Sequence, residues 1–232
     1  MVTKINWNRY TYIVNNNFFK HWDSKMAYIL GFTCADGNVY KSTLAWDLSD
    51  KFESNLELLE KINTALGSTY PIKKRKKSYR LRISNPIILG DILKLGIVPD
   101  KTKILKFPDV PNKYLKDFVR GFLDGDGWIT TRDRQDDLKE ICIGFSNGSF
   151  LFMKTLIYRL DQQVSLSIHN LRDRRKVTPK NVETQTFQLE YYSHNAFNLM
   201  RFLYDGLKED DLYLTRKFQK QFRASQKHFR HL

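Results

Sequence analysis

Apolar positions recur with two periods along this chain, and the two periods alternate in the same order twice. Met26 to Ala35 is a nearly unbroken apolar run leading into Asp36, which predicts a buried helix. Thr43 to Leu48 alternates, with Leu44, Trp46 and Leu48 on one face, as a half-buried strand should. Asn55 to Leu66 returns to helical amphipathicity. Tyr79, Leu81 and Ile83 then alternate with Arg80, Arg82 and Ser84, and Asn85 to Leu89 opens another helix. In the second half, Asp117 to Asp126 and Phe150 to Leu160 read as helices. Phe187 to Ser193 reads as a strand running into a helix from His194 to Leu199. Hairpins are expected between Tyr40 and Thr43 and between Lys73 and Tyr79. Each half therefore reads helix, two strands, helix, two strands, helix, an α+β pattern.

The two halves also share residues. Gly31, Phe32, Asp36 and Gly37 fall on Gly121, Phe122, Asp126 and Gly127, each at an offset of 90 (121 − 31, 126 − 36). Asp126 to Ser193 spans 67 residues and Asp36 to Ser84 only 48. The surplus lies in polar stretches around Arg132 to Asp137 and Arg172 to Thr184. The expected organisation is an N-terminal extension (1–25), a first half (26–107), a linker (108–114), a second half (115–214) and a basic tail (215–232).

Charge changes the picture. The 232 residues carry 39 Lys+Arg against 25 Asp+Glu, a net charge of +14. The excess is clustered. Residues 71–82 hold seven basic side chains and no acid, Arg172 to Lys176 form a second cluster, and the tail from Thr215 a third. Such clusters neutralise phosphates, so nucleic acid is the expected partner. No run approaches the roughly 20 apolar residues of a membrane span. The start lacks a signal-peptide apolar stretch, and two cysteines exclude a disulfide scaffold, so an intracellular protein is expected. The five histidines are scattered, without zinc spacing to a cysteine. Trp7, Trp22, Trp46 and Trp128 read as core or interface residues.

Both repeated helices end in Asp-Gly. The glycine reads as an ordinary helix cap. The aspartate is less expected, because a helix C-terminus is already negative. Two such carboxylates suit a hard divalent cation. Gly31/Ala35 and Gly121/Gly125 put small residues four apart on one face, which would let the helix backbones approach closely. Packed side by side, these helices would bring Asp36 and Asp126 together, and paired carboxylates favour a shared cation over mutual repulsion.

Residues 119–127 and 29–37 resemble the LAGLIDADG motif of homing endonucleases. The second copy matches nearly throughout. The first has Cys34 at the sixth position, one that caps or packs in the family, and keeps the eighth-position acid. Leu95 to Thr102 followed by Phe107-Pro108 resembles the family's link between halves, and Tyr213 to Lys217 its closing segment. The resemblance spans about residues 25–220.

It implies two pseudo-symmetric αββαββα halves forming a DNA-binding saddle in a monomer. It implies a site-specific endonuclease cutting one phosphodiester per strand and leaving short 3′ overhangs. Asp36 and Asp126 would bind Mg²⁺ with the Ala35 and Gly125 carbonyls; Mn²⁺ would substitute, and Ca²⁺ would bind without supporting cleavage. Lys101 (Lys103 as rival) and Lys217 would be the catalytic bases or transition-state cations. Asp50 and Asn147 would order water, or else cap the helices that follow, the reading preferred from the residues. DNA contacts are expected from Tyr40, Ser42, Asp47, Lys73, Arg75, Arg80 and Arg82. In the second half they are expected from Thr130, Arg132, Arg134, Lys139, His169, Arg172, Arg174 and Gln188.

Two other readings share the scaffold: an RNA maturase acting on intron RNA, and a silent DNA-binding regulator, the latter disfavoured by retention of both acids. An intein is disfavoured, since the chain lacks the terminal Cys or Ser and His-Asn. A bacterial or phage host, or an organelle, is the implied setting.

Overall fold

A computed structural model describes residues 12–133, 139–167, 169–177, 183–208 and 210–220. The first half contains α1 (Ser24–Asp36), β1 (Gly37–Tyr40), β2 (Thr43–Ser49), α2 (Glu53–Ala65), β3 (Lys73–Lys74), β4 (Ser78–Ile83) and α3 (Pro86–Lys94). The second contains α4 (Leu115–Asp126), β5 (Gly127–Asp133), β6 (Lys139–Asn147), α5 (Phe150–Asp161), β7 (Asn170–Val177), β8 (Glu183–Tyr192) and α6 (Ser193–Tyr204). The order read from the periodicity is the order observed. The two sheets are antiparallel and ordered β1-β2-β4-β3 and β5-β6-β8-β7. Their registers correspond: Gly37 pairs with Trp46 and Gly127 with Phe145, while Trp46 pairs with Leu81 and Phe145 with Leu189.

Each sheet has a helix-packed face and an open face. Val39, Leu44, Trp46, Leu48, Leu81 and Ile83 are buried on the first, and Ile129, Ile143, Phe145, Leu189 and Tyr191 on the second. One continuous apolar core runs through both halves. At its centre α1 lies against α4. A Cβ on Gly31 would stand 2.0 Å from the Phe118 carbonyl oxygen, and one on Gly121 would stand 2.0 Å from that of Tyr28. The predicted small-residue stripe is thus reciprocal, and neither position tolerates a methyl group without the helices moving apart.

Helix starts follow local chemistry. Asp23 caps α1 by accepting from the Met26 N–H (2.7 Å). Asn85 caps α3, with Pro86 in its first turn, and Ser149 caps α5. The glycines after α1 and α4 are not left-handed caps. Gly37 (φ −73°) and Gly127 (φ −106°) are extended and begin β1 and β5. Glycine is needed for space: a Cβ would meet the Thr33 carbonyl oxygen at 2.6 Å and that of Leu123 at 2.7 Å.

The N-terminal extension joins the first half. The Asn15 N–H donates to the Leu66 carbonyl (2.9 Å) and that of Thr69 to the Ile13 carbonyl (3.0 Å), and Val14, Phe18 and Phe19 are buried. Part of the surplus length of the second half lies in β7 and β8, which are longer than β3 and β4, and Arg172 to Val177 of β7 are exposed. Among the described residues no helix is long and apolar enough to cross a membrane.

Candidate active site

Helices α1 and α4 end side by side, and their last residues are the two repeated aspartates. A Cβ on Gly125 would meet the Ala35 Cβ at 2.3 Å and an Asp36 carboxylate oxygen at 3.4 Å, so Asp36 lies against the final turn of α4. Burial, and then the Asp36 charge, raise Asp126 from 3.8 to about 6. Asp36 keeps an exposed surface. Desolvation at the helix end nevertheless raises its pKa, and Lys217, Lys101 and Arg216 oppose that rise. Among the described residues neither carboxylate accepts a hydrogen bond or forms an ion pair. Two adjacent, unpartnered carboxylates flanked by the Ala35 and Gly125 carbonyls are oxygen donors of the kind a hard divalent cation takes. No cluster of three or more His, Cys, Asp or Glu side chains converges among the described residues.

The two lysines singled out by sequence sit beneath these helix ends. Lys101 Nζ donates to the Gly37 carbonyl (2.5 Å). Lys217 Nζ donates to the Leu123 (2.5 Å), Asp124 (2.8 Å) and Gly127 (2.6 Å) carbonyls. Gly37 and Gly127 are equivalent positions, so the lysines are related by the repeat. Each ammonium answers the negative end of a helix, which is why a carboxylate is tolerated there. Burial lowers both pKa values, that of Lys217 to about 8. Lys103 is exposed and does not line the cavity described next.

A cavity of about 180 Å³ opens beside Asp126, lined by Cys34, Ala35, Lys101, Thr102 and Asp126 together with Asn147 and Thr186 of the second sheet. Lys101 of the first half therefore faces the carboxylate of the second. The cavity wall is tight where the halves meet: a Cβ on Gly148 would stand 2.6 Å from the Thr102 carbonyl oxygen.

Asp50 and Asn147 are not equivalent, and neither caps a helix. The sheet registers match Asn147 with Leu48. Asp50 pairs with Lys74 (2.5 Å), which holds its carboxyl below the usual range, and α2 starts at Phe52 without a side-chain cap. Asn147 Oδ1 accepts from the Ser149 N–H (2.9 Å), leaving Ser149 to cap α5.

Tyr40, Ser42, Lys73, Arg75, Arg82, Thr130 and Arg174 are exposed, as a contact surface requires. Arg80 is held by Asp47 across the strands, its Nε 2.6 and 2.7 Å from the two carboxylate oxygens, so these two form a cross-strand pair. Gln188 lies between Ser146 and Arg172 in register. Arg172 lies 3.7 Å from Glu190. His169 is engaged by Asp161 (3.0 Å) and the Tyr191 hydroxyl (3.0 Å) beside the core, which removes it from the open face. Arg132 and Lys139 lie on β5 and β6; Arg134 falls outside the described residues.

Three features escaped the periodicity. Trp128 is not in the core. It alternates with buried Ile129 and lies across Gly144 on the open face, where a Gly144 Cβ would stand 2.2 Å from its ring. Glu190 is buried at the place of Arg82, accepting from the Tyr192 hydroxyl (2.7 Å). Asp124 accepts from the Tyr28 hydroxyl (2.7 Å) and the Leu214 N–H (2.8 Å), and Arg120 bonds Asp117 and the Leu203 and Leu212 carbonyls. A glycine facing an aromatic two residues from the acid was the available signal for Trp128. No spacing marks the others.

No family model and no curated protein matches the sequence. Solved structures do. The meganuclease I-SmaMI bound to uncleavable DNA aligns with a TM-score of 0.57 at 12% identity, over 85% of this chain and 89% of that one. The LAGLIDADG homing endonuclease I-GzeII in complex with its DNA target aligns with a TM-score of 0.57 at 12% identity, over 94% and 92%. The LAGLIDADG meganuclease I-CpaMI bound to uncleaved DNA gives 0.52 at 13%, over 90% and 94%. With both motif copies at the paired helix ends and a four-stranded sheet on either side, the chain has the fold of the LAGLIDADG homing endonucleases.

Proposed function

We propose that this chain is a site-specific, divalent-metal-dependent DNA endonuclease that hydrolyses one phosphodiester on each strand and leaves short 3′ overhangs. One observation carries the reading: two carboxylates, Asp36 and Asp126, without a partner among the described residues, meet between two sheets whose open faces bear cations. A protein that only bound DNA would gain nothing from placing negative charge against the phosphates. The structural neighbours at this fold were solved with DNA, which supports duplex DNA as the ligand.

Asp36 and Asp126 would hold Mg²⁺ with the Ala35 and Gly125 carbonyls, and the cation when bound supplies Lewis acidity to water and phosphate. The chain does the rest. Lys73, Arg75, Arg82, Arg172 and Arg174 hold the backbone phosphates along the two sheets. Asp47–Arg80 offers both acceptor and donor to a base edge. Hydrolysis joins a water oxygen to phosphorus, breaks one P–O ester bond and moves the water's proton to the departing oxygen. Lys101 brings a positive charge to the phosphate oxygens as they gain negative charge. Asn147, in the same cavity, offers an amide to a water molecule.

The test is cleavage of a randomised duplex library with Mg²⁺ or Ca²⁺, for the wild type, Asp36→Asn and Asp126→Asn. Discrete Mg²⁺-dependent cuts, lost in both variants while DNA binding stays within about threefold, are expected. Full double-strand cutting by both variants refutes the assignment. Tight binding of intron RNA with no DNA cut turns the reading to a maturase.

A further inference from the structure

The repeat suggests two equal half-sites. The side chains around them are not equal. A lysine ammonium has three N–H donors. All three of Lys217 are taken by the carbonyls of Leu123, Asp124 and Gly127, and the residue is 4% exposed. Lys217 is committed to closing the end of α4. A phosphate could recruit it only by breaking that cap. Lys101 makes one hydrogen bond among the described residues, to Gly37, and borders the open cavity with Asp126. Two of its donors remain for a ligand.

The polar neighbours differ in the same direction. Asn147 lines the cavity that holds Lys101 and Asp126. Its counterpart by register is Leu48, an apolar residue 7% exposed. One half-site thus has an available ammonium and an amide; the other has a committed ammonium and a leucine. On the cleavage reading above, on which this rests, we infer that the two strands are cut in a fixed order: the half-site of Lys101, Asp126 and Asn147 acts first, and Lys217 is a positioning residue.

The experiment uses the full chain on the target duplex recovered from the library, each strand carrying its own 5′ label, under single turnover with Mg²⁺. The wild type should cut one strand at least about tenfold faster than the other, a difference of about 1.4 kcal/mol in barrier, so that a nicked duplex accumulates. Lys101→Met should slow the faster cut to the rate of the slower one or below, with Tm unchanged within about 2 °C. Lys217→Met should lower Tm by several degrees and keep the strand order. A readout independent of cleavage is the ammonium ¹H–¹⁵N spectrum of the metal-free protein. A slowly exchanging lysine signal should be present and be lost in Lys217→Met but kept in Lys101→Met. Equal rates for the two strands overturn the inference and leave the nuclease reading intact. So does a Lys217→Met protein of unchanged Tm that has lost the faster cut. If no duplex is cut by the wild type, the nuclease reading itself falls, and the strand order falls with it.

Discussion

The α1–α4 contact can be tested with one methyl group. Gly31→Ala would place a Cβ 2.0 Å from the Phe118 carbonyl oxygen, 2.8 Å from its carbonyl carbon and 3.0 Å from the Phe122 nitrogen. All three atoms are backbone, so no side chain can rotate away. An ordinary contact lies at about 3.5 Å, so the helices must part by on the order of 1 Å. Overpacking of this kind costs about 1–3 kcal/mol, against a gain of about 0.8 kcal/mol for replacing glycine by alanine within a helix. With no rotamer to relieve the clash, the upper end of that range applies, and a net loss of about 2 kcal/mol is expected. For a chain of this size that lowers Tm by about 4–8 °C. The natural control is Gly90→Ala in α3, where a Cβ meets nothing within 4 Å. That variant should gain about 0.5–1 kcal/mol. Calorimetry of the three proteins decides the stability question. Cleavage should suffer more than stability in Gly31→Ala, because the same displacement separates Asp36 from Asp126, and misplacement by about 1 Å can cost on the order of 100-fold in rate. A Gly31→Ala protein as stable as Gly90→Ala, or one that cuts at the wild-type rate, refutes the reasoning.

Asp126 gives a prediction with a definite sign. Its folded pKa, about 6, lies above the ordinary 3.8, so the folded chain binds this proton more tightly than the unfolded one. The ionised group therefore destabilises the fold above about pH 6, and the penalty fades as pH falls from 6 towards 3.8. Without divalent cations, Asp126→Asn should melt above the wild type at neutral pH, with the gain shrinking across that window; a pH-independent difference refutes the placement. At neutral pH, Mg²⁺ should raise the Tm of the wild type and leave that of Asp126→Asn unchanged, as mass action on a folded-state site requires. Trp128 should report DNA directly: acrylamide quenching of the free protein should fall when duplex is bound, and that protection should be absent in Trp128→Phe. Bound DNA with undiminished quenching would remove Trp128 from the interface.

The fold was legible because burial writes itself as periodicity. Leu44, Trp46 and Leu48 alternate because one sheet face packs on helices, and the run from Met26 is unbroken because α1 is enclosed on nearly every side. The repeat located the carboxylates for the same reason: two equivalent helices must pack on a common axis. Polar pairing was less legible. Asp50 and Asp47 are claimed by Lys74 and Arg80, 24 and 33 residues away, and His169 by Asp161 at the end of α5 and by the Tyr191 hydroxyl, and contacts across strands or between elements leave no local spacing. The glycines after the motif do cap their helices, though not in the conformation that usually calls for glycine there. Sequence offers conformation as the usual reason for glycine after a helix, whereas here the reason is a carbonyl one turn earlier.

The departure of the first motif from the second matters more than its small size suggests. At the sixth position the second copy has Asp124, whose carboxylate holds the Tyr28 hydroxyl of the other half and the Leu214 N–H of the closing segment. Leu214 is three residues before Lys217, and its carbonyl accepts from the Lys217 N–H (2.9 Å). Asp124 thereby anchors the turn that delivers Lys217 to the end of α4. The first copy has Cys34, a weak hydrogen-bonding group that cannot anchor the corresponding strap, and there Lys101 makes, among the described residues, one carbonyl contact beside a cavity that Cys34 helps to line. One side chain in the motif separates a closed helix end from an open one. A symmetric dimer could not make that distinction, because any substitution would appear in both halves. A single chain can keep both motif acids and still furnish its two helix ends differently, one with a lysine held by three carbonyls and one with a lysine beside a cavity.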